Sequence, residues 1–223
     1  MTVLQPGLPG NARVINERGT IGGSVLTDTV NNFEQAALYR GDQVELIPRQ
    51  TGEVTSFVIG LNDSDTALVL SIDALARRTV VLFSNGQATP LDFGLAPGLT
   101  VADPLLFPLG INNQGIVSGT IRFPGDPIKY QGFRFDPRSG ETNLLLYPPS
   151  PIFPPTPVFQ SALGIGINNS ARVVGPVFQA FSNLDFIVSS VGVWDHKAGA
   201  CTRSHRAIVR LVGLRARASR RLL

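Results

Sequence analysis

The sequence predicts an all-β fold of tandem four-stranded antiparallel repeats, arranged like the blades of a β-propeller. Three observations favour this class. A short phrase centred on asparagine occurs four times, and a strand–turn–strand phrase follows each copy. The 223 residues also include 23 glycines and 17 prolines but one methionine and one tryptophan. That composition is typical of many turns, and four-stranded units recurring about every 40–50 residues are typical of propeller blades.

The asparagine phrase predicts one hairpin turn in each repeat. Its copies read VINERGTIGGS from Val14, GLNDSDTALVL from Gly60, GINNQGIVSGT from Gly110 and GINNSARVVGP from Gly166. The anchoring residues are Asn16, Asn62, Asn112 and Asn168, at spacings of 46, 50 and 56 residues. An asparagine side chain accepts hydrogen bonds from the backbone that follows it and so holds an Asx turn. The aliphatic residues on either side are typical of paired strands.

The third residue after each asparagine indicates whether the four turns can share one backbone conformation. It is Gly19, Asp65, Gly115 and Ala171 in the four copies. Glycine adopts a positive φ without a Cβ clash, aspartate tolerates it, and alanine pays about 1 kcal/mol. We therefore expect the fourth turn to be the weakest or of a different type.

A second phrase predicts another hairpin after each turn. Its copies are AALYRGDQVELI at 36–47, TVVLFSNGQATPL at 79–91, GFRFDPRSGETNLL at 132–145 and GVWDHKAGACT at 192–202. Each combines an apolar strand, a turn with glycine and another strand. The resulting repeats cover approximately 10–50, 56–95, 106–147 and 161–202. An antiparallel β-sandwich or an irregular β-solenoid with the same hairpins is the alternative.

Two segments fall outside the repeats. Residues 148–157 are rich in proline, which excludes a central strand and favours an extended loop between repeats. Residues 201–223 hold seven arginines and no acid, and we expect this basic tail to be poorly ordered. Because the preceding twelve basic residues are outnumbered by sixteen acidic ones, the body carries −4 despite an overall charge of +3. An acidic body makes a poor nucleic-acid surface.

The tail has two interpretations that the residues leave open. One is a cationic amphipathic helix on an anionic membrane, with Ile208, Leu211 and Val212 on its apolar side. The other is translation in a shifted reading frame from about Gly199. The apolar runs are too short to span a bilayer as a helix, and the first residues have no secretory signal pattern.

The two phrases together resemble the HAF family of extracellular repeats, whose first phrase has the form GINNSGQVVG. Residues 110–119 and 166–175 match that phrase, and Phe133–Asp136 and Val193–Asp195 match the aromatic strand after it. The resemblance covers roughly residues 10–200. It implies a secreted or surface-exposed, propeller-like bacterial protein, and it carries no catalytic residues. The name-giving His-Ala-Phe triplet is absent here.

Residues with catalytic or binding chemistry are few. His196 falls in a predicted turn and His205 in the tail, and no G-x-S-x-G nucleophile motif is present. The single Cys201 could be a thiol nucleophile, but a structural or incidental cysteine is the simpler interpretation, so we assign no catalytic residue and no cofactor. The oxygen-rich run Asn62, Asp63 and Asp65 is a weak calcium candidate, for which an Asx turn is the simpler interpretation. Aromatic side chains that could face a ligand are Tyr130, Phe133 and Trp194.

These patterns predict a function that does not involve catalysis. We expect a monomeric, non-enzymatic surface or extracellular scaffold whose partner is an unidentified protein or glycan. A glycan- or small-ligand-binding propeller module is the alternative, and a propeller-based hydrolase or lyase is the third possibility. An enzyme would need ionisable side chains converging in one pocket, whereas a glycan binder would need solvent-facing aromatics.

Overall fold

The chain folds into antiparallel β-sheets that follow one another along the sequence. The computed structural model describes residues 9–106, 109–124, 129–145, 159–180, 187–195 and 201–209. Within those ranges the regular structure consists of strands, with no helix. This confirms the all-β class and the four-stranded antiparallel unit. The proline-rich segment 148–157 and residues 210–223 lie outside the described ranges.

The first two sheets are four-stranded meanders. The first consists of β1 (Gly10–Ile15), β2 (Ile21–Asp28), β3 (Phe33–Arg40) and β4 (Gln43–Leu46), paired in that order. The second consists of β5 (Glu53–Leu61), β6 (Ala67–Asp73), β7 (Arg78–Ser84) and β8 (Gln87–Pro90), also in order. In both sheets the asparagine phrase joins the first strand to the second.

The third sheet has the same plan with an interrupted first strand. The short strands β9 (Thr100–Val101) and β10 (Gly110–Ile111) both pair with β11 (Val117–Phe123), at its opposite ends. The strands β12 (Lys129–Asp136) and β13 (Glu141–Leu144) complete the sheet. The sheet therefore begins earlier than the sequence predicts, because its first strand is split in two.

The fourth sheet repeats this interruption. Both β14 (Phe159–Ala162) and β15 (Gly166–Ile167) pair with β16 (Val173–Ala180), which pairs with β17 (Ile187–Trp194) and through it with β18 (Cys201–Val209). Residues 201–209, the first part of the basic tail that we expected to be poorly ordered, form the strand β18. They supply the fourth strand that the repeat requires and pair with β17 along one edge. A single parallel pairing, Gln131 with Ala162, links the third and fourth sheets.

Neighbouring sheets bury apolar side chains between their faces. Leu38 of the first sheet packs with Val69 and Phe83 of the second in one cluster. Successive residues of β6 point to opposite sides, so Leu68 joins Val117 and Phe133 in the next cluster. A third cluster gathers Leu145, Ala162, Val173, Val177 and Trp194. Burial on both faces explains why β6 reads as a continuous apolar run, ALVL, rather than as an alternation.

No helix in the described ranges is long and apolar enough to cross a membrane.

Candidate functional site

All four repeated asparagines hold the same turn. The Oδ1 atom of Asn112 accepts hydrogen bonds from the backbone N–H groups of Gln114 (3.0 Å) and Ile116 (2.9 Å). The backbone N–H of Asn112 donates to the carbonyl of Ile116 at 3.1 Å, and Gly115 N–H donates to the carbonyl of Asn112 at 2.9 Å. The same four bonds recur at Asn16, Asn62 and Asn168. The side chain thus satisfies two donors that a tight turn would otherwise leave unpaired.

The third residue after each asparagine has a positive φ in every copy. The angles are 80° at Gly19, 58° at Asp65, 80° at Gly115 and 56° at Ala171. The fourth turn is therefore of the same type as the others, although alanine occupies it. Its hydrogen bonds outweigh the steric cost of the left-handed conformation at Ala171.

Replacing Ala171 with glycine is expected to raise the free energy of unfolding by about 1 kcal/mol, because glycine removes the Cβ clash at positive φ. Urea unfolding of the wild type and Ala171→Gly would measure the difference. Ala162→Gly is the matched control, since Ala162 is buried in a strand and shows no positive φ. That control should lose stability. A loss of stability in Ala171→Gly as well would contradict the claim that the positive φ strains the backbone at Ala171.

The asparagine side chains also join the sheets to one another. Asn16 Nδ2 donates to the carbonyl of Asn62 at 2.9 Å, and Asn62 Nδ2 donates to the carbonyl of Asn112 at 2.9 Å. Asn112 Nδ2 then donates to the carbonyl of Asn168 at 3.0 Å. We call this series the asparagine ladder. Asn62 and Asn112 are only 4% and 2% exposed, so water competes little for these bonds.

A second row of hydrogen bonds runs beside the asparagine ladder, through the residue that follows each asparagine. Glu17 N–H donates to Asp63 Oδ1 at 3.0 Å, Asp63 N–H to Asn113 Oδ1 at 2.9 Å, and Asn113 N–H to Asn169 Oδ1 at 2.9 Å. The sequence signal for this row is the pair Asn-Asn or Asn-Asp in copies two to four.

The calcium candidate is part of this network. Asp63 Oδ2 accepts from Asn113 Nδ2 at 2.6 Å, while Asp65 binds Asn16 Nδ2 at 2.8 Å and Arg40 Nε at 2.9 Å. The Asn113 amide, with the Glu17 N–H, holds the pKa of Asp63 below its usual range. Burial raises the pKa of Asp65, but bonds from Arg40, Thr20 and Asn16 outweigh it and lower the pKa overall. In the described ranges no cluster of three acidic, histidine or cysteine residues could hold a metal ion.

A groove lies between the second and third sheets. It has a volume of about 510 Å³, and its lining includes Arg78, Asp103, Arg122 and Tyr130 together with residues 100–102. Arg122 and Tyr130 are cross-strand neighbours on β11 and β12. Arg78 Nη1 is paired with Asp103 Oδ2 at 2.8 Å, whereas Arg122 has no ion pair among the described residues. The groove therefore offers one guanidinium beside an aromatic ring.

The structure corrects two of the three ligand-facing aromatics. Phe133 is 0% exposed and Trp194 1%, and both belong to the clusters between sheets. Phe133 packs edge-to-face against Phe93, with ring centroids 5.3 Å apart. Their prediction as solvent-facing residues is wrong, because Phe133 points into the cluster between the second and third sheets and Trp194 into the cluster between the third and fourth. Tyr130 is half-buried at the groove.

Comparisons with known proteins give a similarity of fold alone. No protein-family model matches the chain, and no curated protein matches it. One similar solved structure is described as a Mycobacterium tuberculosis puromycin-hydrolyzing peptidase. It superimposes with a TM-score of 0.54 at 12% sequence identity, over 93% of this chain and 30% of that one. The chain thus spans less than a third of the length of that peptidase.

Proposed function

We propose that this protein is a non-enzymatic, propeller-like interaction scaffold that works outside the cell or on its surface. The asparagine ladder carries the proposal, because it fixes four equivalent sheets to one another through their turns. Such a rigid series presents four sets of loops in a constant arrangement. Repeat proteins use arrays of this kind to build extended binding surfaces.

The contacts between first strands support the propeller arrangement. The short strand β10 of the third sheet lies against β5 of the second and β15 of the fourth. All three are the first strands of their sheets, and each leads into a ladder asparagine. In a propeller, four-stranded sheets stand radially around a central channel, so one strand of each sheet lies nearest its neighbours at the centre. First strands at the axis fit that geometry.

The acidic side chains support a role without catalysis. Asp73 accepts from the N–H groups of Leu75 and Arg77 and pairs with the Arg77 guanidinium at 2.6 Å. Asp136 binds Arg138 in the same way in the turn after β12. Asp63 and Asp65 bridge sheets. Asp63, Asp65 and Asp136 stabilise turns and junctions. Asp73 also lines a groove with Glu53, Arg77 and Arg78, but its carboxylate is held by its own turn and by the Arg77 guanidinium.

Ligand binding in the groove is the second candidate function. The Arg122 guanidinium can bind a carboxylate through two parallel hydrogen bonds, and the Tyr130 ring beside it offers a stacking surface to a sugar. A carboxylated oligosaccharide combines both features. The salt bridge between Arg78 and Asp103 would define one wall of that site.

Two measurements on the purified protein test the scaffold assignment. We expect no hydrolysis of puromycin, peptide or ester substrates above the rate without protein. We also expect the immobilised chain to retain partners from a cell-surface fraction. An excess of the soluble chain should displace those partners. Turnover that copurifies with the folded protein would overturn the assignment. Saturable binding of an oligouronate that is lost in Arg122→Gln but retained in Arg138→Gln would replace it with the second candidate.

A further inference from the structure

The asparagine ladder has an open donor end at the fourth sheet. Asn168 is exposed, and its Nδ2 has no acceptor among the described residues, whereas the other three ladder amides each donate to the next sheet. On the outer face of this sheet Val174 is 40% exposed and Val191 53%. Leu68, which corresponds to Val174 in the second sheet, is 0% exposed because the third sheet covers it. The fourth sheet therefore presents half of an interface between sheets.

The first sheet presents the other half. The aliphatic residue before the ladder asparagine packs into the cluster shared with the preceding sheet at Leu61, Ile111 and Ile167. Ile15 holds this position in the first sheet and is 68% exposed. The carbonyl of Asn16 accepts from Gly19 N–H, but among the described residues it receives no ladder amide. An apolar contact and an acceptor are thus available at this end.

We propose that a second copy of this chain fills both halves, head to tail, so that two chains close a ring of eight sheets. The junction would continue the contacts within the chain: Asn168 Nδ2 donates to the carbonyl of Asn16 of the second copy, and Val174 and Val191 cover its Ile15. Such a heterologous contact closes when the rotation per sheet permits. Eight sheets lie within the 4–8 blades usual for propellers. This inference rests on the propeller-like arrangement proposed above and replaces the expected monomer.

Size-exclusion chromatography with light scattering tests the ring. We expect the wild type to have the mass of two 23.8 kDa chains. Val191→Glu at the fourth sheet and Ile15→Glu at the first should each give single chains, with dissociation constants at least tenfold higher, because each substitution places a charge in both junctions of the ring. Leu75→Glu is the matched control, since Leu75 is 74% exposed in the turn after β6 of the second sheet, which is neither the first nor the fourth. The Leu75→Glu variant should keep the mass of two chains.

Mixing the two variants distinguishes head-to-tail pairing from pairing of like ends. Val191→Glu retains a normal first sheet and Ile15→Glu a normal fourth sheet, so an equimolar mixture should form two-chain species through one intact junction. Asn168→Asp keeps the Oδ1 acceptor of its turn and should also weaken the pair. A wild type of single-chain mass, variants that stay paired, or a mixture that stays single would each overturn the proposal. A hydrolytic activity would overturn the scaffold function without changing these masses.

Discussion

Asn112→Asp is expected to lower the free energy of unfolding by about 3 kcal/mol. The substituted side chain has almost the same shape, and one carboxylate oxygen can still accept from the N–H groups of Gln114 and Ile116. The other oxygen replaces Nδ2 and faces the carbonyl of Asn168 at a donor–acceptor distance of 3.0 Å. A buried hydrogen bond becomes a repulsion between a charge and a carbonyl oxygen, at a position only 2% exposed.

Asn168→Asp is the matched control for this effect. It keeps the same turn, but Asn168 donates to no acceptor among the described residues and its side chain is exposed. In the single chain, dilute enough to exclude pairing, its loss should stay below about 0.5 kcal/mol. Burial and the facing carbonyl of Asn168 raise the folded pKa of the carboxyl in Asn112→Asp. Protonation restores a donor there, so the stability deficit of this variant should shrink as the pH falls through that pKa. Urea unfolding at several pH values would measure both. Equal losses in the two variants would show that the ladder bonds do not stabilise the fold.

The sequence predicts the turns well because each depends on a few adjacent residues. Asn112 and Gly115 lie within one tight turn, and the requirement for an acceptor and a positive φ can be recognised from their spacing. The bond from Asn112 to Asn168 joins residues 56 positions apart. Spacing could not predict it, since the repeats fix which residues are equivalent but not how neighbouring sheets are offset.

The direction of each aromatic side chain also depends on contacts that lie outside its own repeat. Phe133 and Trp194 lie on strands with the alternation of a half-exposed sheet, and such a pattern permits aromatic rings on the solvent side. In the structure, Phe133 faces the cluster between the second and third sheets and Trp194 faces the cluster between the third and fourth, so both rings are buried by a neighbouring sheet. Packing between strands also gives a role to the glycine that ends the asparagine phrase, and no local turn rule indicates that role.

Gly175→Ala is expected to destabilise the protein by about 3 kcal/mol. Gly175 lies on β16, seven residues after Asn168. Its Cα packs against the backbone that precedes β15. A Cβ at this position would lie well inside 3.0 Å of the carbonyl oxygen of Leu163. That oxygen belongs to the main chain, and the N–H of the same residue is held by Pro176 O at 3.0 Å. Relief of the clash therefore requires the first strand to move, as in an overpacked core.

Gly23 of the first sheet occupies the equivalent position, and a Cβ there would collide with the carbonyl oxygen of Asn11. Gly23→Ala should therefore cost about as much as Gly175→Ala. Gly166→Ala is the control within the fourth sheet, because its Cβ would meet only the Val174 side chain, at 3.3 Å, which can yield. Chemical unfolding of the three variants should give two large losses and one small one. A small loss of stability at Gly23 and Gly175 would mean that the first strands move at little cost. The close approach of β1 to β2, and of 163–165 to β16, would then not explain the glycine at the end of the repeated phrase.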